Sequence, residues 1–176
     1  MLTLHAAPGV APTLVLAVGN PSRGDDALGP LAAERIEAMR IEGVEVLVDF
    51  QLQVEHALDL MGRSRVLFID ASASLETPFA LAPVGPRRDA SFTSHALAPC
   101  AVLFNYQRLL GAPPPAWVLA IRGQSFELGE ALSAPAERAL DAALGAVRAW
   151  LQSQPAMGAS AVTDRAAQVA AAMTSA

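Results

Sequence analysis

The apolar positions of the chain fall into short runs that alternate with longer periodic stretches. Five mostly apolar runs predict β-strands; they cover 13–18, 44–50, 65–71, 79–84 and 117–121. The first run is apolar on both faces, as suits a buried parallel strand, and the fourth is interrupted by Pro83. Apolar residues recur every three or four positions over 26–40, 51–61, 95–110 and 134–151, which predicts four helices. Strands that alternate with helices predict an α/β fold, a three-layer αβα sandwich with a mostly parallel, twisted sheet of five strands.

These elements fit a single domain at residues 13–152, because 176 residues suit one α/β domain and leave little room for two. Residues 1–12 lack the basic segment and apolar run of a signal peptide, and we expect a disordered lead-in. Residues 153–176 are rich in alanine. We expect them to form a C-terminal tail without chemistry of its own.

The charge balance excludes several classes of partner. The formal net charge is −5, and all 12 basic residues are arginine. An acidic chain without a basic run is a poor ligand for nucleic acid or an anionic membrane, and no run of about 18 apolar residues indicates a membrane span. The one cysteine, Cys100, excludes an internal disulfide and suits a reducing cytoplasm. We expect it to be a buried core thiol.

Reactive side chains cluster where the predicted strands end. Asp25 and Asp26 follow the first strand, Asp70 ends the third, and His95 begins the third long helix. In open parallel sheets ligands bind beyond the carboxyl ends of the strands, and an Asp/Asp/His set suits a divalent metal with open positions for a substrate. Each residue also has an ordinary structural alternative: either aspartate of the pair could cap the first helix, Asp70 could close a turn, and His95 could be a surface residue.

Three common site motifs are excluded. The spacing of Gly19 and Gly24 is that of a phosphate-binding loop, but the acidic pair stands where such a loop has Lys-Ser/Thr. The Gly-x-Gly-x-x-Gly fingerprint of dinucleotide binding is absent. The segment Gly123-Gln-Ser-Phe-Glu127 lacks the final glycine of a serine-hydrolase elbow.

A phosphorelay receiver domain is a further alternative. It also carries an acidic pair after its first strand and an aspartate after its third, which Asp25, Asp26 and Asp70 would match. That class depends on a lysine after the last strand, where this chain has Arg122 and no lysine anywhere. Arginine does not replace a compact ammonium group, so this alternative is disfavoured.

Three motifs, taken in order, resemble the hydrogenase maturation proteases, endopeptidases that trim the large subunit of [NiFe] hydrogenases. The first is an apolar strand, then Gly19-Asn20, four residues and the acidic pair; the others are Phe68-Ile-Asp-Ala71 and Thr93-Ser-His-Ala-Leu97. The resemblance covers residues 13–151. The segments 49–59 and 122–133 are similar to the branch that serves soluble, NAD-coupled hydrogenases.

The resemblance implies that Asp26, Asp70 and His95 are both the catalytic residues and the metal ligands. The metal would be nickel, supplied by the hydrogenase large-subunit precursor, from which a C-terminal extension is cut. A monomeric, cytoplasmic enzyme is implied, with Asp25 and Glu127 as candidate supporting groups or general bases. Two other functions remain open: a module that recognises nickel status without cutting, and a metallohydrolase of small substrates.

Overall fold

The computed structural model describes residues 9–88 and 97–153, which fold as the predicted α/β sandwich. Within them the strands are β1 (Thr13–Val18), β2 (Val44–Asp49), β3 (Arg65–Ser72), β4 (Phe79–Val84) and β5 (Ala116–Arg122). They form one five-stranded sheet in the order β2-β1-β3-β5-β4. All neighbours are parallel except β4, which runs antiparallel to β5. The mostly parallel sheet is confirmed.

Helices cover both faces of this sheet. They are α1 (Leu28–Ala38), α2 (His56–Asp59), α3 (Pro99–Leu110) and α4 (Ala134–Gln152), and a 3₁₀ turn at Gly24–Ala27 precedes α1. In the described part of the chain, no helix is both long and apolar enough to cross a membrane.

Alternation along the strands divides the core into two halves. Val15, Ala17, Leu67 and Ile69 pack against α1 and α4, through side chains such as Ile36 and Leu140. The strand residues between them face the other way, onto α2 and α3; this half of the core contains Leu14, Leu16, Val66, Phe68, Leu60, Val102 and Leu103. The sheet is therefore the central layer of three, as predicted.

Three helices have boundaries that differ from those predicted from the sequence. The first helix begins as a 3₁₀ turn, and α1 itself starts at Leu28. The second was expected over 51–61, but hydrogen bonds there span three residues, from the Ala57 N–H to the Val54 carbonyl for example, so only four residues are α-helical. The third begins at Pro99 because Ala98 is extended (φ −75°, ψ 152°), the conformation that a following proline favours.

The strand register brings the carboxyl ends of four strands to one edge of the sheet. Val18 of β1 pairs with Asp49 of β2, and Asp70 of β3 pairs with Ala120 of β5. The loops that follow these strands therefore lie side by side. We call this side of the molecule the carboxyl edge.

Candidate functional site

Two glycines shape the loop after β1. Gly19 has φ +145°, and a Cβ atom there would lie 2.0 Å from the Asp26 carbonyl oxygen. A Cβ atom on Gly29 would lie 2.0 Å from the carbonyl oxygen of Val18. No side chain fits at either position, so α1 can pack directly onto the end of β1. This packing places the acidic pair at the carboxyl edge.

Asp26 is held in the loop by the backbone. The Asn20 N–H donates to its Oδ2 at 2.9 Å, and the side chain is partly buried. A carboxylate fixed through one oxygen in this way has a defined direction without being removed from solvent. This is the geometry expected of a residue that meets a ligand.

Asp70 lies near the end of β3, one strand away from Asp26. The Ala71 N–H donates to its Oδ1 at 2.8 Å. Burial raises the pKa of Asp70 to about 8, and the negative charge of Asp26 adds to this rise, while the Ala71 hydrogen bond opposes it. The 3₁₀ turn that carries Asp26 contacts β3, so the two carboxyl groups are neighbours at the carboxyl edge.

His95, the third predicted ligand, lies outside the described residues. Over residues 9–88 and 97–153, no group of three or more His, Cys, Asp or Glu side chains could hold a metal ion. The described part of the site is thus a pair of carboxylates. Two oxygen ligands alone do not complete a site for a transition metal, so His95 as the third ligand stays a prediction.

Asp25 has a different environment from its neighbour. Its side chain is wholly buried and accepts four hydrogen bonds: from the N–H groups of Gln124, Ser125 and Ser133, and from the Ser133 hydroxyl, all at 2.7–3.0 Å. Burial by itself would raise the pKa of Asp25, but these hydrogen bonds outweigh it and hold the pKa below the ordinary value. The carboxylate is therefore charged at neutral pH, and its oxygens are fully engaged in hydrogen bonds.

These contacts correct two interpretations of Asp25. It does not cap the first helix, because its partners lie in the loop before α4, where Ser133 is the N-cap residue. It is not placed as a general base either, since both of its oxygens are occupied by donors. Glu127, the other candidate base, is exposed in the same loop, and its role stays a prediction.

Asp25 is the centre of a wider connection between two distant loops, which we call the loop clamp. Besides the four bonds to its carboxylate, the Asp25 N–H donates to the Ser125 carbonyl at 2.7 Å and the Gly24 N–H to the Glu130 carbonyl at 3.2 Å. Two more bonds join Gly129 to Ser22 and Arg23 to Phe126. The clamp therefore fixes residues 22–25, directly before Asp26, to residues 124–133.

His56 is a structural residue. It is 9% exposed; its Nδ1 accepts from the Gln53 N–H at 2.8 Å, and its Nε2 lies 3.3 Å from Oδ2 of Asp49. Because Nδ1 is an acceptor, the proton of the neutral ring is on Nε2, facing Asp49. This pair fixes the loop after β2. Cys100 is buried as expected.

The pKa of Asp70 predicts an unusual dependence of stability on pH. Between its ordinary pKa of 3.8 and about 8, the unfolded chain has released this proton while the folded chain still holds it. Wild type should therefore lose stability as pH rises through this range. Asp70→Asn removes the ionisable group and should raise the free energy of unfolding at pH 8 by about 1–3 kcal/mol, with no gain near pH 3.5.

Urea denaturation at pH 3.5, 6 and 8 measures this difference. Asp141→Asn is the matched control, since Asp141 is exposed and pairs with Arg35 across the surface. A variant that is no more stable than wild type at pH 8 would contradict the high pKa of Asp70.

Comparison with solved structures identifies the fold. The hydrogenase maturating endopeptidase HybD from E. coli matches 80% of this chain and 91% of its own, with a TM-score of 0.63 and 24% identity. The [NiFe] hydrogenase maturation protease HycI from Thermococcus kodakarensis KOD1 matches 83% of this chain and 96% of its own (TM-score 0.64, 20% identity). The solution structure of an endopeptidase from Escherichia coli matches 80% of this chain and 91% of its own, with a TM-score of 0.62 and 25% identity. No family model and no curated protein sequence matches. The chain has the fold of the hydrogenase maturation proteases.

Proposed function

We propose that this protein is a hydrogenase maturation endopeptidase that removes a C-terminal extension from the nickel-loaded large-subunit precursor of a [NiFe] hydrogenase. One observation carries the proposal: Asp26 and Asp70 lie together at the carboxyl edge of a fold shared with proteases of that class. Both positions were also picked out by the motif resemblance. The proposed site is completed by His95.

The electrostatics of the carboxylate pair support recognition of a cation on the substrate. Two like charges at close range, one of them desolvated, favour protonation of Asp70 in the free protein. A precursor that carries nickel supplies the missing positive charge, displaces the proton and offsets the repulsion. A precursor without nickel offers no such compensation. Binding is thereby coupled to metal loading, with nickel belonging to the substrate.

The described residues do not favour a nucleophilic mechanism that uses a cysteine. Cys100 lies in the first turn of α3 and is buried. In the proposed reaction, Asp26, Asp70 and His95 bind and orient the metal-loaded end of the precursor at the carboxyl edge. The peptide bond is then hydrolysed by water: the metal of the substrate would polarise the carbonyl group, and an adjacent carboxylate would take a proton from the attacking water.

A cleavage assay tests this function. Large-subunit precursors that carry their C-terminal extension are incubated with the full-length protein, each prepared with and without nickel, and mass spectrometry identifies any released peptide. We expect release from the nickel-loaded precursor only. Nickel-dependent binding without release would instead support a recognition module, and a stoichiometric metal held by the isolated protein would support a small-substrate metallohydrolase.

A further inference from the structure

The loop after β1, residues 19–26, uses all of its backbone N–H groups to hold its own shape. Pro21 has no N–H, and each of the other seven residues donates to a protein acceptor at 2.7–3.2 Å. Four of the acceptors lie inside the loop, on Asn20, Arg23 and Asp26, and three lie at the end of β2 and in the loop after β5. No backbone donor of this loop is left to form an anion-binding nest. Its contribution to the site is the position in which it holds its side chains.

Asn20 takes part in three of the contacts inside the loop. Its side-chain Oδ1 accepts from the Ser22 N–H at 2.9 Å, the local turn that an asparagine side chain forms with the backbone two residues on. Its carbonyl accepts from the Arg23 N–H at 3.1 Å. Because these two bonds fix the conformation at residue 20, they also fix the direction of its own N–H group.

That N–H group holds the carboxylate of Asp26, donating to Oδ2 at 2.9 Å. The backbone of Asp26 is held separately, since its N–H donates to the Arg23 carbonyl at 3.0 Å and the loop clamp fixes Asp25 immediately before it. Asp26 is thus anchored at two points. The clamp fixes where its backbone lies, and Asn20 fixes how its carboxylate is turned.

A carboxylate held in this way loses little freedom when it meets a ligand. The groups that orient a metal-binding side chain typically change metal affinity or activity by about 10–100-fold when they are removed. A displacement of about 1 Å at a reacting centre can cost about a hundredfold in rate. The side chain of Asn20 should therefore matter for the reaction although it need not touch the substrate.

We infer that Asn20 is a positioning residue of the protease reaction: its side chain fixes the turn whose N–H directs the Asp26 carboxylate toward the metal-loaded end of the precursor. The inference rests on the proposed function and adds a residue that acts on the substrate through Asp26.

Steady-state processing of the nickel-loaded precursor by Asn20→Ala tests this inference. The substitution removes Oδ1 but keeps the N–H and Asp26, so kcat should fall by about 10–100-fold while KM changes by less than about twofold. Asn20→Ser should recover part of kcat, because a hydroxyl can accept from the same N–H, though more weakly. Ser22→Ala is the matched control and should keep the wild-type kcat, since it removes an exposed side chain from the same turn and keeps both backbone groups.

Hydrogen exchange of the residue 20 N–H, followed by NMR without any precursor, measures the positioning directly. In Asn20→Ala this amide should exchange about tenfold faster or more, although its acceptor on Asp26 is still present. Ser22→Ala should leave the rate unchanged. Urea denaturation of all variants confirms that each is folded under the assay conditions.

The two measurements let the inference and the proposed function fail separately. Cleavage by wild type with an unchanged kcat in Asn20→Ala would overturn the inference and leave the protease function intact. A fall in kcat without faster exchange at residue 20 would also overturn it, because Asn20 would then act on the substrate directly. If wild type does not cleave the precursor, the proposed function is wrong, and an unchanged exchange rate in Asn20→Ala would show in addition that Asn20 does not orient Asp26.

Discussion

Asp26→Asn should slow processing of the nickel-loaded precursor by about a hundredfold or more, the loss typical when a charged group at the reacting centre is neutralised. The fold should be unaffected, because the asparagine carbonyl can still accept the hydrogen bond from the Asn20 N–H. Asp70→Asn and His95→Ala should reduce processing in the same way. Peptide release, followed by mass spectrometry at saturating precursor, measures the effect.

A second readout shows whether Asp26 acts at the same place as Asp70. Since the charge of Asp26 raises the pKa of Asp70, Asp26→Asn should lower that pKa, which can be followed by NMR titration of the Asp70 carboxyl carbon. Asp141→Asn removes an equal charge from an exposed surface ion pair. It should change neither the rate of peptide release nor the pKa of Asp70. Full activity of the Asp26→Asn variant would show that Asp26 is not part of the active site and would contradict the proposal.

Asp25→Asn should be among the most destabilising single substitutions in the chain, at about 3–5 kcal/mol of unfolding free energy. The change turns an acceptor of four hydrogen bonds into a group whose NH₂ must face other donors. Ser133→Ala, which removes the hydroxyl from Asp25 and the cap from α4, should cost only about 1 kcal/mol. Urea denaturation at pH 7 gives both values.

Asp25 and Asp70 should change the stability of the protein with pH in opposite directions. As pH rises, the Asp25 carboxylate adds stability, whereas ionisation of Asp70 removes it. The folded-state pKa of Asp25 lies below the ordinary 3.8, so its stabilising effect is complete above that pH. The effect is lost as pH falls through the lower folded-state value. Wild type and Asp25→Asn should therefore converge in strong acid. A difference of less than about 1 kcal/mol at pH 7 would show that the clamp is dispensable.

Sequence patterns predicted the strands well because the buried parallel strands β1, β3 and β5 are continuous apolar runs, and the partly buried edge strands β2 and β4 are still mostly apolar. The five predicted strands agree with β1–β5 to within one residue at each end. The short α2 was harder to predict, since its apolar residues are spaced for a longer helix. The actual length is set by a side-chain contact, in which His56 accepts from the Gln53 N–H, and by three-residue turns that periodicity does not reveal.

The two adjacent aspartates show what the sequence could not distinguish. Asp25 and Asp26 are the same residue type in the same turn, yet one is wholly buried and the other only partly. The difference arises from partners about 100 residues further along the chain, at Gln124, Ser125 and Ser133. No local pattern encodes such a contact. The proximity of Asp26 and Asp70 was predictable, because Asp26 follows β1 and Asp70 lies near the end of β3, its parallel neighbour in the sheet.

The loop clamp also determines when the site can form during synthesis. Residues 124–133 follow β5, the last strand to be made, and β5 inserts between β3 and β4. Until it does, β4 lacks its sheet neighbour and Asp25 lacks every partner described above. A nascent chain that ends before residue 124 can form the β2-β1-β3 part of the sheet, but not the loop clamp that fixes residues 22–25, directly before Asp26. The folded form of this turn therefore depends on residues that are made about 100 positions after it.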